Sequence, residues 1–237
     1  MALFRENAVV VITGADGGIG KVLVAHLTKL GATVVRCDRG EPDPHNFDVR
    51  DRAGWDRMLD AVIEEHGRID ALINNAGRQA QGVDTVVDLD DDEWQAVMDV
   101  NVKGVRLGMS TTIPRFGPDG GRIINTASVA GHLASPGSSV YCTSKAAVLH
   151  MTRQAAVDYA GSGVLINAIA PGMMENTMHD GKASKQRDAV IAASLTGQPV
   201  RDSEIALCAE FLLDGRITSM VGSMLAIDAG PGGMLHA

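Results

Sequence analysis

The chain has 237 residues, 45% of them hydrophobic, and its 21 Lys and Arg against 29 Asp and Glu leave a net charge of −8. No basic run is present, so the clustered cations that neutralise phosphates on a nucleic-acid surface are missing and no nucleic-acid partner is expected. Cys37, Cys142 and Cys208 are widely spaced and odd in number, and the seven histidines show no metal-ligand spacing. That pattern speaks against a disulfide framework and points to no metal site, as in a reduced, cytoplasmic protein. The length fits one domain over residues 1–237.

Taken in chain order, "AVVVIT" (8–13) is a short β-branched run that stops at Gly14 and reads as a buried parallel strand. It is too short and lacks the basic start of a signal peptide, and no stretch approaches the roughly 18 apolar residues of a membrane span. A helix follows over 20–31, closing on Gly31, then a strand over 33–38, which completes a βαβ unit. Residues 39–47 hold two prolines and a glycine, which exclude a regular helix. Further on come a helix (51–67), a strand and turn (70–77), one long helix (91–113) behind the acidic run "DLDDDEW", a strand (121–128), a helix (141–160) and a strand (163–172). The polar segment 175–200 has weak periodicity and is expected to be mobile. A helix (203–213) behind a Ser203 cap and a strand (223–230) complete the chain. Strands alternate with helices throughout, so the expected fold is α/β: a doubly wound parallel sheet, Rossmann type, with helices on both faces.

"TGADGGIG" places Gly14, Gly18 and Gly20 between the first strand and the first helix. Such a turn lets backbone amides approach a pyrophosphate at a helix N-terminus, although a purely structural turn would show the same glycines. Asp38 stands at the end of the second strand. A carboxylate there accepts hydrogen bonds from adenosine ribose hydroxyls and repels a 2′-phosphate, whereas an ordinary loop carboxylate would do neither. Arg39 beside it could serve NADP, but Asp16 and Gly17 put no cation in the glycine turn. NAD is therefore expected in preference to NADP.

Only two tyrosines occur, and one, Tyr141, lies four residues before Lys145, on the same helix face. A phenol with a pKa of about 10 is a poor base at neutral pH, and a neighbouring ammonium favours phenolate. The pair makes an acid/base that can give a proton to a forming alkoxide or take one from an alcohol. A half-buried tyrosine beside a surface lysine is the plain alternative. Ser128 follows a predicted strand, where ligands bind in open α/β sheets, and its hydroxyl could polarise a carbonyl.

With these residues in place the chain resembles the short-chain dehydrogenase/reductase family. "TGADGGIG" matches the family's cofactor turn, "NNAG" (74–77) its adenine-side motif, Asn101 its helix asparagine, Ser128 and "YCTSK" (141–145) its catalytic core, and "PG" (171–172) its nicotinamide-side turn. The resemblance covers nearly the whole chain. It implies NAD(P)-linked interconversion of a secondary alcohol and a ketone. Tyr141 would be the acid/base and Ser128 the substrate polariser, with Lys145 lowering the tyrosine pKa and holding the ribose. Asn101 would position a relay water. Gly14, Gly18, Ile19 and Gly20 would take the pyrophosphate. Asp48 and Val49, ending a third strand, would flank adenine, and Asn75, Ala76 and Gly77 would line the adenosine ribose. Pro171, Gly172 and Met174 would border the nicotinamide. A homotetramer and a small alcohol or carbonyl substrate are implied as well.

Two departures from the family pattern stand out. Only ten residues separate Asp38 from Asp48, too few for the helix usual there, which leaves the adenine pocket more open. Where the family has a threonine after "PG", Asn176 stands, followed by Thr177, and either side chain offers suitable donors and acceptors. The substrate pocket is expected from 132–140 and 175–200, with His132, Met173, Met174 and Met178 nearby. Two other functions are an NADPH-dependent 3-oxoacyl-type reductase, disfavoured by Asp38, and a non-catalytic dinucleotide sensor or scaffold, disfavoured by the complete Ser-Tyr-Lys set.

Overall fold

The computed structural model describes residues 6–40, 44–82, 84–175 and 182–230. Six strands, β1 (Val9–Thr13), β2 (Thr33–Cys37), β3 (Ala71–Asn74), β4 (Gly121–Thr126), β5 (Val164–Pro171) and β6 (Met224–Ile227), form one parallel sheet in the order β2-β1-β3-β4-β5-β6. The helices are α1 (Gly18–Lys29), α2 (Arg52–His66), α3 (Asp91–Met98), α4 (Gly104–Thr112), α5 (Ser139–Asp158), α6 (Lys182–Ala193) and α7 (Asp202–Leu212).

β1 is buried along its whole length, which is why it reads as a continuous apolar run. Its side chains alternate between two cores. Val9 and Val11 pack with Trp55, Leu59 and Val62 of α2, Leu107 of α4 and Val148 of α5. Val10 and Ile12 pack with Leu23 and Leu27 of α1 and Ile205 and Leu212 of α7. The sheet is thus covered on both faces, and each such fully buried side chain contributes about 1.5–3 kcal/mol. Helix ends follow their local chemistry. Asp51 caps α2 by accepting from Ala53 and Gly54, and Gly67, at φ +74°, closes it. Asp90 caps α3, giving the acidic run its place at a helix start.

Three expectations are corrected. No strand ends at Asp48 and Val49: residues 44–51 are irregular, because the short connection from Asp38 cannot hold the dozen or more residues of a parallel crossover. That connection is nonetheless anchored. Phe47 N–H donates to Asp38 C=O at 3.0 Å, and its ring meets Trp55 edge-on at 4.8 Å. The helix expected over 91–113 is broken by a π-helical turn, Asp99–Lys103, between α3 and α4. Ser203 is not the cap of α7; Arg201 stands there, its N–H bonded to Glu204 at 2.9 Å. Within 175–200, Lys182–Ala193 form α6, a stretch whose Ala, Lys, Gln and Arg favour a helix without supplying the apolar stripe that a period test detects.

Candidate active site

The chain runs from β1 to β2 on one side and returns to β3 on the other, so the loops after β1 and β3 diverge. In an open parallel sheet that reversal point is where ligands bind. The two loops here are the glycine turn and "NNAG". Gly14, at φ +64°, lies so close to the second loop that a Cβ on it would come within 2.8 Å of Ala76 Cα. Asn75 Nδ2 donates to the carbonyls of Thr13 and Gly14, each at 3.1 Å, while Thr13 Oγ1 accepts from the N–H groups of Asn75 and Ala76. Asn75 therefore braces the turn. Gly20 packs α1 onto the same turn, since a Cβ there would sit 2.0 Å from Gly14 O. Gly17 at the N-cap has no side chain to accept from the first amides of α1, and no acidic residue lies in that first turn. With Gly18 and the partly buried Ile19, the cradle fits a pyrophosphate on backbone size and helix-end polarity.

Beside this cradle Asp38 accepts from Asp16 N–H at 2.9 Å and from Arg39 N–H at 2.7 Å, one on each carboxylate oxygen. Asn46 Oδ1 accepts from Asp38 N–H at 3.1 Å. The carboxylate is fixed, and each oxygen keeps a lone pair for a ribose hydroxyl. Asp48 is gripped by its neighbour: Arg50 donates from Nε to both oxygens and from Nη2 at 2.6 Å, which holds the carboxyl below its ordinary range. Val49 C=O accepts from Trp55 Nε1 at 2.9 Å, and its side chain packs against Gly104.

Ser128 lies two residues past β4 and caps the short 3-10 turn Val129–Gly131. Its Oγ accepts from Ala130 N–H at 3.2 Å and donates to Pro171 C=O at 3.3 Å. Tyr141, in the first turn of α5, has Ser128 beside it, near enough to favour its phenolate. One turn on, Lys145 Nζ donates to Thr126 C=O at 2.8 Å and lies 5.7 Å from the Tyr141 ring centre. Burial pushes the Lys145 ammonium down to about 8 and the Tyr141 phenol up, against the smaller influence of Ser128. In the protein alone desolvation is the largest influence on both groups.

Asn101 belongs to the π-helical turn and is almost sealed, at 1% exposure. Its Oδ1 accepts from Arg78 N–H at 2.8 Å, and its Nδ2 donates to Arg78 C=O and Ser144 Oγ, both at 2.9 Å. A Cβ on Gly77 would lie 3.4 Å from Asn101 Oδ1 and 3.5 Å from Lys145 Nζ, so "NNAG", the π turn and α5 meet at one point. Pro171 and Gly172 close β5; a Cβ on Gly172 would strike Asp228 Cα at 2.6 Å. Met174 is buried and bridges to Val200. Asn176, Thr177 and Met178 lie outside the described residues.

Three features of the site carry no signal in the linear sequence. Asp84, from the loop before α3, is buried, and both of its carboxylate oxygens accept from first-turn amides of α5, Ser139 N–H and Val140 N–H, the latter at 3.2 Å. Glu93 holds Arg78 through both oxygens, at 2.6 and 2.8 Å. Asp16 pairs with Arg36 of β2. Each joins residues at least 15 positions apart, beyond the reach of helical or strand periodicity. A cavity of about 410 Å³ is lined by Glu175, Gln198, Val200, Arg201, Glu204 and Ile227 among others; Glu175, Gln198 and Val200 belong to the 175–200 segment expected at the substrate pocket, while none of the named catalytic or cofactor residues borders it. Among the described residues no cluster of His, Cys, Asp or Glu could hold a metal ion, and no helix is long and apolar enough to cross a membrane.

A family model described as short chain dehydrogenase matches residues 8–188. The chain is 31% identical to meso-2,3-butanediol dehydrogenase of Serratia marcescens, over 95% of this chain and 94% of that protein. It is 32% identical to a 3-oxoacyl-[acyl-carrier-protein] reductase of Thermotoga maritima, over 95% and 98%. It is 33% identical to cis-4-hydroxycyclohexanecarboxylate dehydrogenase of Sinomonas cyclohexanicum, over 96% and 97%. Among solved structures, a point variant of the actinorhodin polyketide ketoreductase with NADPH superposes with a TM-score of 0.86 at 26% identity, covering 98% of this chain and 99% of that one.

Proposed function

From the premise that this chain belongs to the short-chain dehydrogenase family, we propose that it is an NAD-dependent oxidoreductase interconverting a secondary alcohol and a ketone. The observation that carries this reading is the convergence of Ser128, Tyr141 and Lys145: the Lys145 ammonium lies 5.7 Å from the Tyr141 ring centre one helical turn on, Ser128 stands beside the phenol, and Gly77, on the loop braced to the glycine turn, adjoins the ammonium. The bound nicotinamide supplies the site that gives or receives hydride. Ser128 Oγ holds the substrate oxygen and stabilises the charge that develops on it. In reduction Tyr141 donates its phenolic proton to that oxygen; in oxidation its phenolate takes the hydroxyl proton. Lys145 holds the nicotinamide-side ribose and gives charge to stabilise phenolate. Asn101, fixed by Arg78 and Ser144, keeps the helix backbone open at the π turn for a relay water to Lys145.

The choice of NAD rests on the fixed Asp38 carboxylate, which faces the ribose and would meet a 2′-phosphate with like charge. The NADPH in the related ketoreductase and the 3-oxoacyl reductase among the relatives support a second reading, an NADPH-linked 3-oxoacyl-type reductase. A non-catalytic sensor is disfavoured by the complete Ser128, Tyr141 and Lys145 set. The substrate is assigned as a neutral, mid-sized secondary alcohol or its ketone, in keeping with the diol in one relative's name. The 132–140 and 175–200 segments would form its pocket within a single domain. A cytoplasmic homotetramer completes the reading, supported by three cysteines with no disulfide between them and by exposed Val157 and Leu207.

Fluorescence titration with NADH and NADPH tests it, with Asp38→Ala alongside. Tighter NADH binding, relaxed in the variant, is expected, together with NAD-linked oxidation of secondary alcohols that Tyr141→Phe reduces about 100-fold or more. Tighter NADPH binding by the wild type moves the assignment to the second reading. Binding of neither sinks both.

A further inference from the structure

We infer that Asp16 is a second specificity-determining residue of the cofactor site, engaging Arg36 so that this guanidinium is not free to meet the adenosine ribose. The inference deepens the proposed function and rests on its dinucleotide site. Asp16 N–H donates to Asp38 Oδ2 at 2.9 Å, so Asp16 borders the carboxylate assigned to the ribose hydroxyls. Its own carboxylate pairs with Arg36 Nη2. Arg36 lies on β2 two residues before Asp38, and alternate strand residues share a face.

The charges around this ribose position balance. Arg36 answers Asp16. Arg39 bonds Asp38 only through its backbone N–H, and its charge adds to what holds Asp48 ionised. Asp48 is closed by Arg50. A guanidinium is a forked donor well suited to a phosphate dianion, and it binds one only when its donors are free. Removing the Asp16 charge would leave Arg36 as an uncommitted cation within reach of a 2′-phosphate. Both members of the pair are more than half exposed, so the pair itself adds little to folding stability. The Asp16 backbone contact to Asp38 survives any side-chain substitution. The pair spans 20 residues from the glycine turn to the next strand, so it shows only in three dimensions.

The test is a titration of NADH and NADPH against wild type, Asp16→Asn, Arg36→Gln and the double variant, with thermal melting of each. Asp16→Asn is expected to improve NADPH affinity relative to NADH by about tenfold, and the double variant to lose that gain. An unchanged ratio in Asp16→Asn overturns the inference, as does a gain that persists without Arg36 or an equal loss of both affinities at an unchanged melting temperature. A wild type that binds NADH well alongside a flat Asp16→Asn result sinks this inference alone. A wild type that binds neither dinucleotide, or NADPH better, sinks the NAD reading and this inference with it.

Discussion

Lys145 keeps an ammonium at 4% exposure, and its one hydrogen-bond acceptor among the described residues is the Thr126 carbonyl. One carbonyl replaces only part of the hydration that a cation loses on burial, so the charged form is disfavoured and the pKa falls from an ordinary 10.5 to about 8. The consequence for stability has a definite sign. Below pH 8 both folded and unfolded chains carry the proton, and the folded state bears the full desolvation cost. Between the two values the unfolded chain binds more protons, so stability rises with pH, and above 10.5 the cost is gone. Lys145→Met should abolish that rise and stabilise the ligand-free protein near neutral pH by up to about 3 kcal/mol, while abolishing turnover. Denaturant unfolding of both proteins at pH 7 and pH 9.5 checks this. Equal slopes with pH in the two proteins would mean that the ammonium is hydrated. A site that costs stability in this way is the expected signature of a group kept for chemistry. Tyr141 behaves consistently: burial raises its pKa, so the protein alone presents a phenol, ready to donate. Ser128, Tyr141, Lys145 and Asp38 were all legible in the sequence, because each belongs to a short motif whose chemistry is local. Their protonation balance was not, because desolvation depends on everything that packs around them.

At the scale of the element, α5 decides the geometry of the site, since Tyr141 is its third residue and Lys145 its seventh. Ser138 at its N-cap supplies no side-chain acceptor. Asp84 does so from another loop, accepting from Ser139 N–H and Val140 N–H, and its charge also suits the positive end of the helix. Asp84→Ala should cost about 2 kcal/mol of stability, at the upper end for a lost cap because the acceptor is buried. Turnover should fall more than cofactor binding does, since the frayed turn carries Tyr141 while the pyrophosphate cradle lies on α1. A melting curve and a separation of kcat from the NADH dissociation constant test both parts; an activity loss no larger than the fall in folded fraction would remove Asp84 from the site. Asp84 shows why element reading from sequence stops short. The period of α5 is visible, and its start is misplaced by two residues because its cap lies 55 positions upstream. The π turn at Asn101 was hidden for a related reason. Apolar spacing runs on through α3 and α4, and what marks the break is the bonding of Asn101 to Arg78 and Ser144 across space. Gly104 and Gly108, one turn apart, let the second half of that helix lie against Val49, Asn74 and Trp55.

Across the whole molecule, the alternation of strands and helices was enough to give a doubly wound sheet, yet strand order was not written in any segment. It follows from right-handed crossovers and from which connections are long enough to cross, and the short 38–48 connection removed one strand from the expected set. The same order sets up the last expectation, the assembly. The sheet ends on β2 at one side and β6 at the other. β2 carries the charged Arg36, which blunts an edge. β6, "MLAI", has no charge and is only partly covered among the described residues. Leu207 on α7, at 55% exposure, and Val157 on α5, at 71%, leave apolar side chains in water on other surfaces of the molecule. Unblunted apolar edges and faces are the surfaces that symmetric interfaces cover, and two distinct self-complementary patches on one chain generate two sets of two-fold axes and a closed tetramer. For the proposed homotetramer, light scattering at micromolar concentration should give four times the 24.9 kDa chain mass. Leu207→Glu should halve that mass by disabling one of the two patches while the chain stays folded. A wild-type monomer would sink the assembly argument, and a dimer that Leu207→Glu leaves intact would restrict it to the α5 surface.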